Sequence, residues 1–180
     1  VYFTAIGLAY LMLEITVLAR LTHLVGDPVI AAAVTIATFL IASGLGSAAA
    51  GRSALGGASV FKPVVVALVG LGLAQLVLVA PLTLVAAHWP EAGRIALAIV
   101  MVAPVAFLMG FPMPTALARL DRAAPSLVPW AWGVNGFASV LAAPLATLIG
   151  MTHGFHLAGL AALALYAFVG WLFPHLPDAS

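Results

Sequence analysis

Long apolar runs separated by short turn-rich segments dominate the pattern of this chain. Each run is about 18 to 24 residues long, which at a rise of about 1.5 Å per residue suffices to cross a bilayer. The alternation of polar and apolar residues that a membrane β-barrel needs is missing. The pattern predicts an all-α polytopic membrane protein, a bundle of six transmembrane helices within a single domain, residues 1–180. The predicted spans are residues 2–24, 29–50, 64–87, 95–118, 131–151 and 156–173.

Composition supports the membrane assignment. The chain is 65% hydrophobic and only 6% charged, whereas soluble domains carry about 25% charged residues. The lipid bilayer is therefore the first expected partner, and the absence of a basic patch argues against nucleic acid. The chain has no cysteine, which excludes disulfides and thiolate metal sites. It begins almost inside the first apolar run, so we interpret it as a fragment of a longer polypeptide.

The basic residues predict an orientation. Arg20 and Arg94 fall toward one side of the membrane. Four others fall in the second and fourth connections, on the side of both termini: Arg52, Lys62, Arg119 and Arg122. Because short cytoplasmic loops carry the excess of Lys and Arg, we expect both termini in the cytoplasm. We expect the membrane to be a bacterial inner membrane.

Glu14 is the most informative residue, since it lies near the middle of the first span. A carboxylate at that depth needs a partner, a wet cavity or a bound proton. Burial favours the neutral form, so we expect a protonated carboxyl that is hydrogen-bonded to another span. Two interpretations stay open: a functional group that exchanges a proton for a cation, and a hydrogen bond that only holds helices together.

Three further polar residues lie within spans. Gln75 falls near the middle of the third span, and Asn135 and Ser139 share one face of the fifth with Ala142 and Ala146. Together with Glu14, we predict Gln75, Asn135 and Ser139 as candidate substrate-binding residues. A transporter would bring them around one wet cavity, whereas a membrane anchor would bury each of them singly against a neighbouring helix.

Two segments predict how the helices pack. In the second span, small residues recur every four positions as Ala42-Gly46-Ala50 and Ser43-Ser47-Gly51, a spacing that allows close helix contact. In the fourth span, the sequence MGFPMP at 109–114 has two prolines in three residues. Each proline removes a backbone donor, so we expect the helix to break between Gly110 and Pro114. Such a break is tolerated only inside protein or beside a cavity.

Motifs for chemistry are missing. The histidines gather at one side of the membrane as His23, His88, His153 and His156, and we interpret them as interfacial residues rather than metal ligands. There is no zinc-protease motif and no paired aspartate site. The sequence predicts no catalytic residue, no metal and no cofactor in this chain.

Several segments together resemble one family, the membrane proteins that fuse a spermidine-synthase-like domain to transporter-like helices. They occur in the expected order: AYLMLEI at 9–15 with GDPV at 26–29, SGLGS at 43–47 with Gly51-Arg52, MGFPMP at 109–114, and WAWGVNGFAS at 130–139. The chain departs from the family at Asp27, where the family usually has His, and at Arg20, where it often has Gln.

This resemblance implies half of a major-facilitator-like fold. It implies a transporter-like unit for a small cationic metabolite such as a polyamine, with Glu14 as counter-charge. The implied partners are other membrane helices, such as a second six-helix bundle, and a soluble synthase domain that would carry any aminopropyltransferase activity outside these residues. The alternative is a non-transporting anchor or structural subunit that holds a soluble enzyme or partner chains. An intramembrane enzyme is a third class.

Overall fold

A computed structural model describes residues 1–52 and 58–176. These residues form seven α-helices and three short 3-10 turns, with no strand in either range. The helices are α1 (Tyr2–Val25), α2 (Pro28–Ala50), α3 (Ala58–Val85), α4 (Glu91–Met109), α5 (Pro112–Ala123), α6 (Val128–His153) and α7 (Phe155–Leu172). The 3-10 turns are Ala86–His88, Pro125–Leu127 and Phe173–His175. The all-α prediction is confirmed.

The described residues contain six helical spans that are long and apolar enough to cross a membrane, with α4 and α5 together making the fourth. The protein is therefore an integral membrane protein. Three predicted starts were late, and the fifth span begins at Val128 rather than residue 131. The third span begins at Ala58 rather than residue 64, and the helix continues through Pro63 in its second turn although that residue has no N–H to donate. The fourth begins at Glu91 rather than residue 95, because the helix dipole favours a carboxylate in the first turn.

Three basic residues lie in helices rather than in the connections where the sequence placed them. Lys62 lies in the second turn of α3, and Arg119 and Arg122 lie in α5. Lys62 and Arg122 are exposed, but Arg119 is buried. Arg119 donates a 2.8 Å hydrogen bond to the carbonyl of Phe173 and places its guanidinium 5.1 Å from the centre of that ring. These residues lie at the end of the bundle that holds both chain termini, which we call the terminal end; the opposite end is the distal end.

The turn between α1 and α2 shows how local sequence sets a helix boundary. Gly26 adopts φ 89° as it ends α1, a left-handed conformation that favours glycine. The Asp27 carboxylate accepts hydrogen bonds from the backbone N–H groups of Val29 and Ile30 at 2.8 and 2.9 Å. Asp27 is therefore the N-cap of α2. Pro28 follows as the first helical residue, where its missing N–H costs nothing.

Helix α1 is the centre of the bundle. It packs most extensively against α6 and α7 and also contacts α2, α3 and α4. Helix α2 packs mainly against α4, and α3 packs against α7 and α4. Because α2 and α6 have the least buried spans, each leaves a long apolar face without a partner among residues 1–52 and 58–176.

The predicted break in the fourth span is confirmed and falls at Gly110 and Phe111, between α4 and α5. The N–H groups of Gly110 and Phe111 bond three residues back, to Phe107 and Leu108. Both residues keep right-handed helical dihedral angles, so the span kinks without unwinding. Pro112 and Pro114 occupy the first turn of α5, where backbone N–H groups have no intrahelical partner anyway.

Candidate functional site

A cavity of about 600 Å³ lies between α1, α2, the kink between α4 and α5, and α6. That volume falls within the range of about 300–1,000 Å³ typical of small-molecule sites. Its polar or aromatic lining comes from three helices: Tyr10 of α1, Ser43 and Ser47 of α2, and Trp132, Asn135 and Ser139 of α6. The kinked span contributes Met109, Gly110, Met113 and Pro114. This cavity is the candidate functional site.

Tyr10 and Ser43 connect two walls of the cavity. Their hydroxyl groups are hydrogen-bonded at 3.0 Å, and either one could be the donor. The Tyr10 ring also packs edge-on against Phe39 of α2 at 6.2 Å between ring centres. The pair therefore holds hydroxyl groups at the cavity wall in a fixed place, where each retains further hydrogen-bonding capacity toward a ligand.

Asn135 and Ser139 line the cavity and also fasten α6 to α1. The Asn135 side-chain amide donates to the carbonyl of Phe3 at 3.1 Å. The Ser139 hydroxyl lies 3.3 Å from the carbonyl of Gly7 and 2.9 Å from that of Asn135. A Cβ atom on Gly7 would overlap the Asn135 carbonyl, so the two backbones are as close as glycine permits. Asn135 and Ser139 thus have a packing role before any role in binding.

The two small-residue stripes of α2 have different surroundings. Ala42, Gly46 and Ala50 are buried, and Gly46 lies against the backbone of α4. Ser43 and Ser47, one position further along the helix, line the cavity instead. The spacing predicted close packing, which the first stripe shows, while the second stripe gives the cavity two hydroxyl groups, those of Ser43 and Ser47.

Glu14 lies beside the cavity rather than in its lining. It follows Tyr10 by four residues on the same helix face, and it is half-buried. The hydrogen bond that we expected from its carboxyl to another span is not found among residues 1–52 and 58–176. The buried Tyr166 hydroxyl of α7 is near enough to interact electrostatically with Glu14, yet it makes no hydrogen bond in the described residues.

Gln75 lies away from the cavity, in a crevice between α1 and α3 that is also lined by Arg20 and Leu21. It is buried, and neither its side-chain oxygen nor its nitrogen has a hydrogen-bond partner in the described part of the chain. The structure therefore brings Asn135 and Ser139 together in the cavity, sets Glu14 one turn beyond it, and separates Gln75 from all three. The crevice lies further toward the distal end, where α3 packs against Val17 and Leu21 of α1.

Sequence reasoning missed Tyr10 and both methionines of the kink as lining residues. Tyr10 could have been found from its position one turn before Glu14. The methionines flank the predicted break, and a break beside a cavity exposes its neighbours to that cavity. Nothing in the sequence pairs Tyr10 with Ser43, since that contact depends on how α1 and α2 cross.

The histidines at the distal end do not form a group. The described residues contain no cluster of three His, Asp or Glu side chains that could hold a metal ion. His153 is hydrogen-bonded to the hydroxyl of its neighbour Thr152 at 2.7 Å, and His156 contacts Arg20. The cavity itself offers hydroxyls, an amide, thioethers and aromatic faces, and its lining has no charged side chain.

No family model, curated protein or solved structure matches this chain.

Proposed function

We propose that this chain is a transporter-like membrane unit for a small cationic metabolite, within a polyamine-synthase-like protein. The cavity between α1, α2, the kinked span and α6 carries the proposal. A transport path needs a polar cavity within the bundle next to a helix that can change shape. Here hydroxyl and amide groups face a kinked helix across a space that fits a small molecule.

The chemistry of the lining suits an amine cargo. Hydroxyl and carbonyl oxygens accept hydrogen bonds from ammonium groups, and the faces of Tyr10 and Trp132 attract cations. Glu14, one turn beyond Tyr10, would supply the counter-charge when the cargo arrives.

The rest of the path would come from a second six-helix bundle. The cavity is bordered by exposed residues of two weakly buried helices, Leu40 and Gly44 of α2 and Trp132 of α6. We place the protein in a bacterial inner membrane with both termini cytoplasmic, because Arg52, Lys62 and Arg122 are exposed at the terminal end.

Cysteine labelling tests the proposal, since the chain has no native cysteine. We expect Ser43→Cys in reconstituted vesicles to react with a water-soluble thiol reagent, and spermidine to slow that reaction. Gly70→Cys is the control, because Gly70 is exposed on α3 outside the cavity lining. If spermidine, putrescine and other small amines leave the rate at Ser43→Cys unchanged, the cavity does not bind such a cargo.

The second candidate is a non-transporting anchor for a soluble enzyme domain. Two observations support it. Gln75 is buried without a hydrogen-bond partner in the described residues. Asn135 and Ser139 donate hydrogen bonds to backbone carbonyls of α1 rather than keeping them for a ligand. An anchor requires no accessible cavity. In that case Ser43→Cys and Gly70→Cys would label at similar low rates, and vesicles containing the protein would take up no amine.

A further inference from the structure

Arg20 is a membrane cation without a counter-ion in the described chain. It lies on α1, five residues before the helix ends at Val25. Its nearest acidic residue along the helix, Glu14, is six positions away and lies on a different face. No carboxylate of residues 1–52 and 58–176 pairs with it. Since a guanidinium stays charged in proteins, the bilayer environment has to supply an anion.

The one hydrogen-bond contact that Arg20 makes within the described residues leaves most of its donors available. Its guanidinium lies 3.3 Å from Nδ1 of His156 on α7. Arginine can only donate, so Nδ1 of His156 is the acceptor in this contact. His156 therefore orients the guanidinium without neutralising it, and four of the five N–H donors of Arg20 remain for another partner.

A groove of about 400 Å³ runs past Arg20 between α1 and α3. Its α1 side consists of Arg20 and His23, which share one helix face at a spacing of three residues. Its α3 side is largely apolar: Val79, Ala80, Thr83 and Leu84. The Thr83 hydroxyl already donates to the Val79 carbonyl. The groove thus has a cationic edge and an apolar wall.

The depth of this groove matches a phospholipid. Five residues of helix correspond to about 7.5 Å, so Arg20 lies near the boundary between headgroups and hydrocarbon, where long basic side chains reach toward phosphate. Ala80 and Leu84 of the apolar wall are exposed, Leu84 being 77% accessible, while Val79 at its base is buried. A lipid can therefore place a phosphate at Arg20 while its acyl chain follows α3. A free anion would leave the apolar wall uncovered.

We infer that Arg20 and His23, with the α3 face from Val79 to Leu84, form a binding site for an anionic phospholipid at the distal end. The crevice that holds Gln75 continues from Arg20 but offers only about 10 Å³, too little for a phosphate. The site is separate from the cavity and does not depend on the proposed transport.

Native mass spectrometry of the whole chain in detergent tests this inference with phosphatidylglycerol as the probe. We expect one tightly retained lipid on the wild-type protein. Arg20→Gln should weaken its retention about tenfold or more, since a hydrogen bond to a charged group is lost. Arg122→Gln, an exposed arginine at the terminal end, is the matched control and should retain the lipid.

A second variant guards against misfolding of Arg20→Gln. Ala80→Trp fills the groove from the exposed face of α3 while Arg20 and its contact with His156 stay intact, and it should also lose the lipid. Equal retention by wild type and both variants would overturn the inference. Equal binding of diacylglycerol, which has no phosphate, would show that only the apolar wall binds lipid, and this result would also overturn the inference. Displacement of the lipid by millimolar glycerol phosphate would show that a free anion is the ligand and would overturn the lipid assignment.

Discussion

Gly46 of α2 lies against the carbonyl oxygen of Phe107 of α4, so closely that a Cβ atom on Gly46 would overlap that oxygen. The contact is reciprocal, because a Cβ on Gly110 would overlap the carbonyl of Ser43. The kink of the fourth span therefore falls where two glycines bring the backbones of α2 and α4 together. The kink and the close crossing belong to one feature, which forms a wall of the cavity.

Gly46→Ala should destabilise the protein by about 1–3 kcal/mol, because the added methyl must push α2 and α4 apart. Gly44→Ala is the matched control on the same helix, since a Cβ at Gly44 would meet no atom within 4 Å. Thermal unfolding in detergent measures both variants. If Gly46→Ala unfolds no earlier than Gly44→Ala, the close crossing is not a source of stability.

Arg119 should contribute strongly to the attachment of α5 to the end of α7. Arg119→Gln loses the hydrogen bond to the Phe173 carbonyl and the contact with its ring, for a cost of about 2–3 kcal/mol. Arg119→Lys keeps the charge but not the planar fork, so we expect an intermediate loss. Arg122→Gln, exposed in the same helix, should change the free energy of unfolding by less than about 0.5 kcal/mol. Equal effects at both arginines would contradict this assignment.

The fold was largely predictable from sequence because its signals are local. Span length and apolar content located all six spans, and the two prolines after Gly110 located the kink. The errors at Ala58 and Glu91 arose where a proline and charged residues were taken as boundaries, although α3 continues through Pro63 and the helix dipole favours Glu91 in the first turn of α4.

The candidate site was less predictable because it depends on which helix faces meet. Asn135 and Ser139 were found in the cavity, but their partners are backbone carbonyls of α1 that no side-chain pattern reveals. Gln75 was grouped with them as a polar residue within a span, yet it lies in a separate crevice against Val17 and Leu21 of α1. The depth of a residue along its span can be read from the sequence, whereas the neighbouring helix that its side chain faces depends on how the helices pack.

Gln75 should lower the free energy of unfolding rather than raise it. Its amide is buried and both of its polar atoms lack hydrogen-bond partners in the described residues, a situation that costs about 1–3 kcal/mol per group. Gln75→Met has similar volume without the polar atoms, so we expect a higher unfolding temperature. Gln75→Asn is the control, because it keeps the unpaired amide and opens a void. A lower unfolding temperature for Gln75→Met would show that the amide has a stabilising partner.

Glu14 separates the transport proposal from the anchor proposal. Its carboxyl has no hydrogen-bond partner in the described residues, so its loss should leave no neighbouring group unsatisfied. We therefore expect Glu14→Gln and Glu14→Ala to insert normally and to unfold within about 1 kcal/mol of wild type. A strongly destabilised Glu14→Ala would mean that Glu14 holds helices together after all.

The activity of the same variants gives the decisive readout. A proton on the Glu14 carboxyl competes with a cationic cargo, so wild-type uptake into vesicles should fall as the pH is lowered. Glu14→Gln keeps the size of the side chain but cannot ionise, so its uptake should be low and independent of pH. Ser47→Ala is the control, because it changes a hydroxyl of the same cavity without altering charge. If Glu14→Gln takes up amines with the wild-type rate and pH profile, Glu14 is not the proton carrier, and the anchor becomes the better account of this membrane domain.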